Sequence, residues 1–139
     1  MFQFLLDTDH LTLFEHGHPP LKQHLATHAP GAVGLTVVTQ EESVRGRLAA
    51  IAKAPDGPAR IARYALLQGS LERFHLFPSA PFDPGAEDHF QKLLAMRLRV
   101  GPRDLKIAAI ALANQLILVT RNRQDFGRIP GLVLEDWSV

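Results

Sequence analysis

Short apolar runs alternate with longer stretches of helical periodicity along this chain. Residues 2–6 are apolar except for Gln3 and stop sharply at Asp7, as a buried strand would. Residues 9–15 read as a short helix, halted by His16-Gly17-His18-Pro19-Pro20, and residues 20–28 as a second helix ending before Pro30-Gly31. Residues 32–38 form the second strand candidate. The pattern turns helical over 39–53, breaks at Ala54-Pro55-Asp56-Gly57-Pro58, and resumes to about residue 72. Residues 74–77 read as a third strand, closed by Pro78 and Pro81, and 86–97 as a helix. Gly101-Pro102 opens a helix running to 113, with proline where its missing N–H costs nothing. Residues 116–120 and 132–135 are the last two strands. This alternation predicts an α/β fold around a mostly parallel sheet of four to five strands. In such sheets ligands gather at the carboxyl ends of the strands.

Composition narrows the class without naming a chemistry. The 139 residues are 46% hydrophobic and 21% charged, so one domain, residues 1–139, with a genuine core is expected. No apolar run approaches the ~20 residues of a membrane span. The first residues show neither a basic leader nor a small-residue cleavage site, and a cytoplasmic location is the expectation. The absence of cysteine excludes disulfides, thiolate zinc sites and cysteine nucleophiles. The net charge of +1 hides an asymmetry. Within residues 97–128, Arg97, Arg99, Arg103, Lys106, Arg121, Arg123 and Arg128 face only Asp104 and Asp125. That basic quarter is either a solvated helix face or an electrostatic footprint for phosphate.

Four acidic positions follow a strand or open a helix. Asp7 ends the first strand, where it also suits a helix N-cap. Glu42 closes Thr39-Gln40-Glu41-Glu42, which has the form of a capping box; Glu41 competes with it, pointing about 100° away on the helix. Asp104 stands two residues after Pro102 in a first turn, where the helix dipole favours an anion. Asp125 follows the strand at 116–120, with Asn122 placed to cap a short turn. Each acid alone has a structural explanation, yet a parallel sheet would bring all four to one edge. Crowded carboxylates repel, and a divalent cation makes the arrangement tolerable. Oxygen ligands suit Mg²⁺ or Mn²⁺, whose chemistry serves phosphodiester hydrolysis.

These segments together resemble the PIN-domain family, and within it the VapC-type toxins of bacterial toxin–antitoxin pairs. The matching stretches are Leu5-Leu6-Asp7-Thr8-Asp9-His10-Leu11 and Thr36-Val37-Val38-Thr39-Gln40-Glu41-Glu42 with Arg45-Gly46. Val100-Gly101-Pro102-Arg103-Asp104-Leu105-Lys106 is the strongest. Val119-Thr120-Arg121-Asn122-Arg123-Gln124-Asp125-Phe126, Ile129-Pro130-Gly131 and Glu135-Asp136-Trp137 follow in order. The resemblance implies a three-layer α/β/α sandwich and a Mg²⁺- or Mn²⁺-dependent endoribonuclease that blocks translation by cutting a cellular RNA. It makes Asp7, Glu42, Asp104 and Asp125 the catalytic acids, with Asp7 and Asp104 as principal metal ligands. Thr8, Thr120, Asp9 and Asn122 become accessories; Asp9 stands where many relatives carry Asn, and Asn122 where many carry Asp. Arg97, Arg99, Arg103, Arg121 and Arg123 would contact RNA phosphates. A homodimer, inhibition by a VapB-like antitoxin, and operator DNA binding only through that antitoxin are also implied.

Two other readings compete. A PIN-fold binding module that no longer cuts RNA would keep the partner groove, and Asn122 is the departure that favours it. A haloacid-dehalogenase-like phosphatase would use Asp7 and Asp9 as nucleophile and acid, with Lys106 as its lysine. The seven histidines show no zinc spacing. His10, just past Asp7, reads as a structural histidine, and Trp137 and Phe126 as covers on the core edge. No serine lies in a nucleophile elbow, and there is no phosphate-binding glycine loop.

Overall fold

A computed structural model describes residues 2–139. β1 (Phe4–Leu6) is buried throughout and leads directly into α1 (Thr8–Glu15). α2 (Pro19–Ala26) follows, with its prolines in the first turn. β2 (Val33–Thr36) passes without a loop into α3 (Val37–Ala52), and α4 (Gly57–Phe74) folds back on α3. The chain continues through β3 (Ser79–Ala80), α5 (Pro84–Ala95) and α6 (Pro102–Asn114). It closes with β4 (Ile117–Val119), the single turn α7 (Arg123–Phe126) and β5 (Leu134–Glu135).

One device starts five of the helices. The side chains of Asp7, Thr36, Asp56, Asp83 and Asn122 each accept the backbone N–H three residues on, at 2.8 to 3.2 Å. Each satisfies a donor the helix cannot use internally, worth about 1 kcal/mol.

The strands pair in the order β3-β2-β1-β4-β5, all parallel, as expected. Alternation along the strands sends side chains into two cores. Leu5 and Leu118 join α5, α6 and Phe126 on one face. Phe4, Leu6, Val33, Leu35 and Val119 meet Leu11 of α1, Leu21 of α2 and Trp137 on the other. The result is the three-layer sandwich. α6 is buried on most sides, with Ile107 through Ala111 inside, which explains its nearly continuous apolar sequence. β2 needs glycine at position 34, because a Cβ there would lie 2.8 Å from the Pro78 carbonyl oxygen. That carbonyl accepts the Leu35 N–H at 2.9 Å.

Two expectations fail. Residues 74–77 are not a strand: α4 runs to Phe74 and the chain turns through His75–Phe77. Phe74 and Phe77 pack against the second core, so their apolar character reflects burial rather than pairing. The third strand is the two-residue β3 beyond Pro78. Thr39 is likewise not a cap, since α3 begins two residues earlier, capped by Thr36. Glu42 therefore sits in the second turn, and the capping-box reading is wrong. Among the described residues, no helix is long and apolar enough to cross a membrane.

Candidate functional site

The strand order creates a crevice. From β1 the chain moves to β2 on one side and later returns to β4 on the other, so β1 and β4 flank the point where the winding reverses. Asp7 lies at the carboxyl end of β1 and Thr120 at that of β4. The Asp7 N–H donates to the Val119 carbonyl at 3.1 Å, continuing the ladder by one bond. Its Oδ1 accepts the His10 N–H at 3.1 Å, and its Oδ2 accepts the Thr120 hydroxyl. Thr120 in turn accepts the Asn122 N–H at 2.9 Å. Asp7 is thus a helix cap and a crevice carboxylate at once, only 5% exposed. Burial raises its pKa to about 6, the neighbouring Asp9 adds to this, and hydrogen bonds from His10 and Thr120 oppose it.

The other acids gather around Asp104. Glu42 accepts the Thr8 hydroxyl on Oε1 and Arg103 Nη1 on Oε2, the latter at 2.6 Å. Glu41 pairs with Arg45 at 2.6 Å on the rim of the same cleft, while Glu42 reaches Thr8 and Arg103. Asp104, at the start of α6, has its pKa raised by burial and then by the charges of Glu42, Asp125 and Asp9, with Arg103 offsetting part. Those influences place Asp104 in one field with Glu42, Asp125 and Asp9. Asp125 accepts Asn122 Nδ2 at 3.1 Å and Arg128 Nη1 at 3.4 Å. Burial pushes Asp9 up, but the hydrogen bond from His10, the neighbouring Asp7 and the charges of His10 and Arg121 hold it below the ordinary value.

Arginines rim the acids. Arg103 meets Glu42, Arg121 approaches Asp9 at 4.0 Å, and Arg128 reaches Asp125. Arg128 belongs to the basic stretch but was not among the expected phosphate contacts; spacing alone does not reveal that it returns to the acids. Arg97, Arg99 and Arg123 are exposed and form no ion pair among the described residues. A cleft of about 500 Å³ opens beside the acids, lined by Glu42, Arg103, Asp104 and Lys106. A second, of about 470 Å³, lies beyond Glu42 against Thr8, Glu15, Arg47 and Arg73.

His10 is closer to this site than its sequence reading suggested. It is fully buried, with Nδ1 2.7 Å from Asp9 Oδ1 and 3.5 Å from Asp7 Oδ1. Nε2 accepts the backbone N–H of Trp137 at 3.2 Å. Burial lowers the His10 pKa, and Asp7 and Asp9 overcome this and raise it to about 9. Asp136 Oδ1 lies 3.6 Å from Nε2, so three carboxylates surround the ring.

One oxygen from each of Asp7 and Asp9 and one His10 nitrogen lie within 4.8 Å of one another. Asp104 is not in that tight group, though the charge of Asp9 reaches it. Asp7 and Asp104 are both pushed up by burial and by neighbouring carboxylates, and a hard divalent cation would relieve that repulsion. The donor set therefore suits Mg²⁺ or Mn²⁺. Both His10 nitrogens already have partners, which makes it a poorer ligand than the acids.

Comparison with known proteins agrees with this architecture. The PIN domain family model matches residues 5–132. The tRNA(fMet)-specific endonuclease VapC of Shigella flexneri is 30% identical over 142 residues, covering 99% of this chain and 100% of that protein. Its Salmonella typhimurium counterpart is 28% identical over 99% of both chains. The solved structure of DNA-bound VapBC from Salmonella typhimurium superposes with a TM-score of 0.77 at 25% identity, over 99% of each chain. VapBC-1 from nontypeable Haemophilus influenzae shares the fold, with a TM-score of 0.78 at 19% identity. With the acids at the winding reversal and a match over nearly its whole length, the chain belongs to the PIN-domain family, on its VapC-type branch.

Proposed function

We propose that this chain is a divalent-metal-dependent endoribonuclease, the toxin of a VapBC-type pair, built as one domain and acting in the cytoplasm. The observation that carries this reading is Asp7: a buried carboxylate at the winding reversal, fixed by Thr120 and joined by Asp9, which acts together with Glu42 and Asp125 on Asp104. Asp7 and Asp104 would hold Mg²⁺ or Mn²⁺ between them, with Asp9 as a further oxygen donor. Such a cation, when bound, supplies Lewis acidity toward a phosphodiester. The protein's own groups set the rest. Thr120 and the His10 N–H hold Asp7 rigid, while Thr8 orients Glu42 toward the cleft. Asn122 caps α7 and steadies Asp125, the fourth acid.

Arg103, Arg121 and Arg128 are paired to the acids and stand ready to exchange those partners for backbone phosphates. Arg97, Arg99 and Arg123 extend the basic surface. Two relatives are named tRNA(fMet)-specific endonucleases, which makes tRNA the first substrate class to test. A VapB-like antitoxin, with operator DNA bound through it, matches the complex character of the structural neighbour. Exposed Ile61, Tyr64, Leu66 and Leu71 on α4 supply apolar surface for such a partner or for a second copy in a homodimer. The phosphatase reading has little support, because Lys106 sets its ammonium over the Phe90 ring at 5.7 Å.

The test is to sequence cellular RNA 5′ ends after inducing wild type or Asp7→Asn. New ends should appear at defined RNA positions with wild type alone, accompanied by translation arrest. Ends that persist in Asp7→Asn would defeat the proposal. Absence of cutting by both proteins, with metal binding intact, would leave the binding module in its place.

A further inference from the structure

The carboxyl-terminal strap reaches the acidic crevice through His10. Trp137 is 1% exposed, wedged against Phe4 with ring centroids 5.0 Å apart. Its indole stacks on His28 at 4.9 Å and 11°, and on His24 at 5.5 Å and 5°. His18 Nε2 donates to the Ser138 carbonyl at 2.8 Å, and His24 Nε2 to the Val139 carbonyl at 3.2 Å. Asp136 Oδ1 accepts the Ser138 N–H and hydroxyl at 2.8 and 2.6 Å, locking the turn that follows. The backbone of residue 137 is therefore fixed by contacts on both sides of it. Its N–H points at His10 Nε2.

A neutral imidazole has one donor and one acceptor nitrogen, and the partner of one decides the role of the other. Nδ1 donates to Asp9 at 2.7 Å, while Nε2 meets the Trp137 N–H at 3.2 Å and lies 3.6 Å from Asp136 Oδ1. We propose that His10 is a positioning residue for the metal centre: the strap orients its ring through Nε2, and its Nδ1–H aims the Asp9 carboxylate beside Asp7. This rests on the metal-dependent reading above and assigns His10 a role behind the ligands rather than among them. Groups that hydrogen-bond metal ligands from behind typically alter affinity by about 10- to 100-fold when removed.

Two measurements test this, neither depending on RNA cleavage. Long-range ¹H–¹⁵N correlation spectra of the metal-free wild type should show His10 protonated on Nδ1. The form with Nδ1 bare and the proton on Nε2 alone would overturn the proposal even if every variant failed to fold. Calorimetric titration with Mn²⁺ alone should then show His10→Leu binding about 10-fold or more weakly. His10→Asn, whose amide nitrogen takes the place of Nδ1, should recover most of that loss. Asp7→Asn, titrated in parallel, separates the two levels. If Asp7→Asn loses Mn²⁺ while folded His10→Leu keeps wild-type affinity, the positioning role is refuted and the metal centre survives. If Asp7→Asn also binds as wild type does, the metal reading itself fails, and the inference with it.

Discussion

Replacing Asp7 with asparagine should make the metal-free protein more stable while removing its metal affinity. Burial lifts the Asp7 pKa from an ordinary 3.8 to about 6. At about 1.4 kcal/mol per unit, its ionised form costs the fold on the order of 3 kcal/mol at pH 7. Asparagine lacks the charge but still caps α1, its amide oxygen accepting the His10 N–H. The amide nitrogen meets Thr120, whose hydroxyl loses its acceptor, at a cost of about 1 kcal/mol. The net gain is about 1–2 kcal/mol, or roughly 3–8 °C in Tm for a chain of this size. The pH dependence carries the sign. A carboxyl whose pKa is raised binds its proton more readily in the folded state, so wild-type stability falls as pH climbs from about 4 to 6. The gap between variant and wild type should therefore be full at pH 7 and close below pH 4. Denaturation in chelator across that range measures it. Saturating Mn²⁺ should reverse the order, because only the wild type gains binding energy. An Asp7→Asn protein less stable than wild type at pH 7 in chelator, or a gap indifferent to pH, would refute the reasoning.

Gly34→Ala sets a Cβ 2.8 Å from the Pro78 carbonyl and 3.0 Å from the Phe2 ring. It should cost about 1–3 kcal/mol in chemical denaturation and speed amide exchange at Leu35, whose N–H bonds that carbonyl. Glu15→Ala removes the carboxylate that Arg47, Ser70 and Arg73 share, which ties α1 to α3 and α4. The loss should be about 1–2 kcal/mol, with faster proteolysis at the turn between α3 and α4; unchanged digestion would show that α4 is held by its apolar contacts alone. Asn122→Ala should lower stability by about 1 kcal/mol as a lost cap, yet leave Mn²⁺ affinity within about threefold of wild type. A loss as large as that of Asp7→Asn would make Asn122 a ligand instead of a helper.

Local sequence already dictated much of this protein. Apolar runs of strand length between helical stretches specify a parallel α/β sandwich, because each strand must bury both faces. A sharp end to the first run places Asp7 at a carboxyl terminus, and Gly101-Pro102 sets Asp104 in the first turn of α6. Local pattern misled where burial mimics pairing, as at Phe74 and Phe77, or where two threonines compete to start one helix, as at Thr36 and Thr39. Only the tertiary structure decided which side chains meet across the sheet. The register of β1 against β4 brings Thr120 onto Asp7, and the rotation of α3 brings Glu42 to Thr8 and Arg103 and Glu41 to Arg45. The contact between His10 and Trp137 joins residues 127 positions apart. Spacing along a chain fixes direction only within an element; a meeting between elements depends on strand order, register and packing, which no short window of sequence contains.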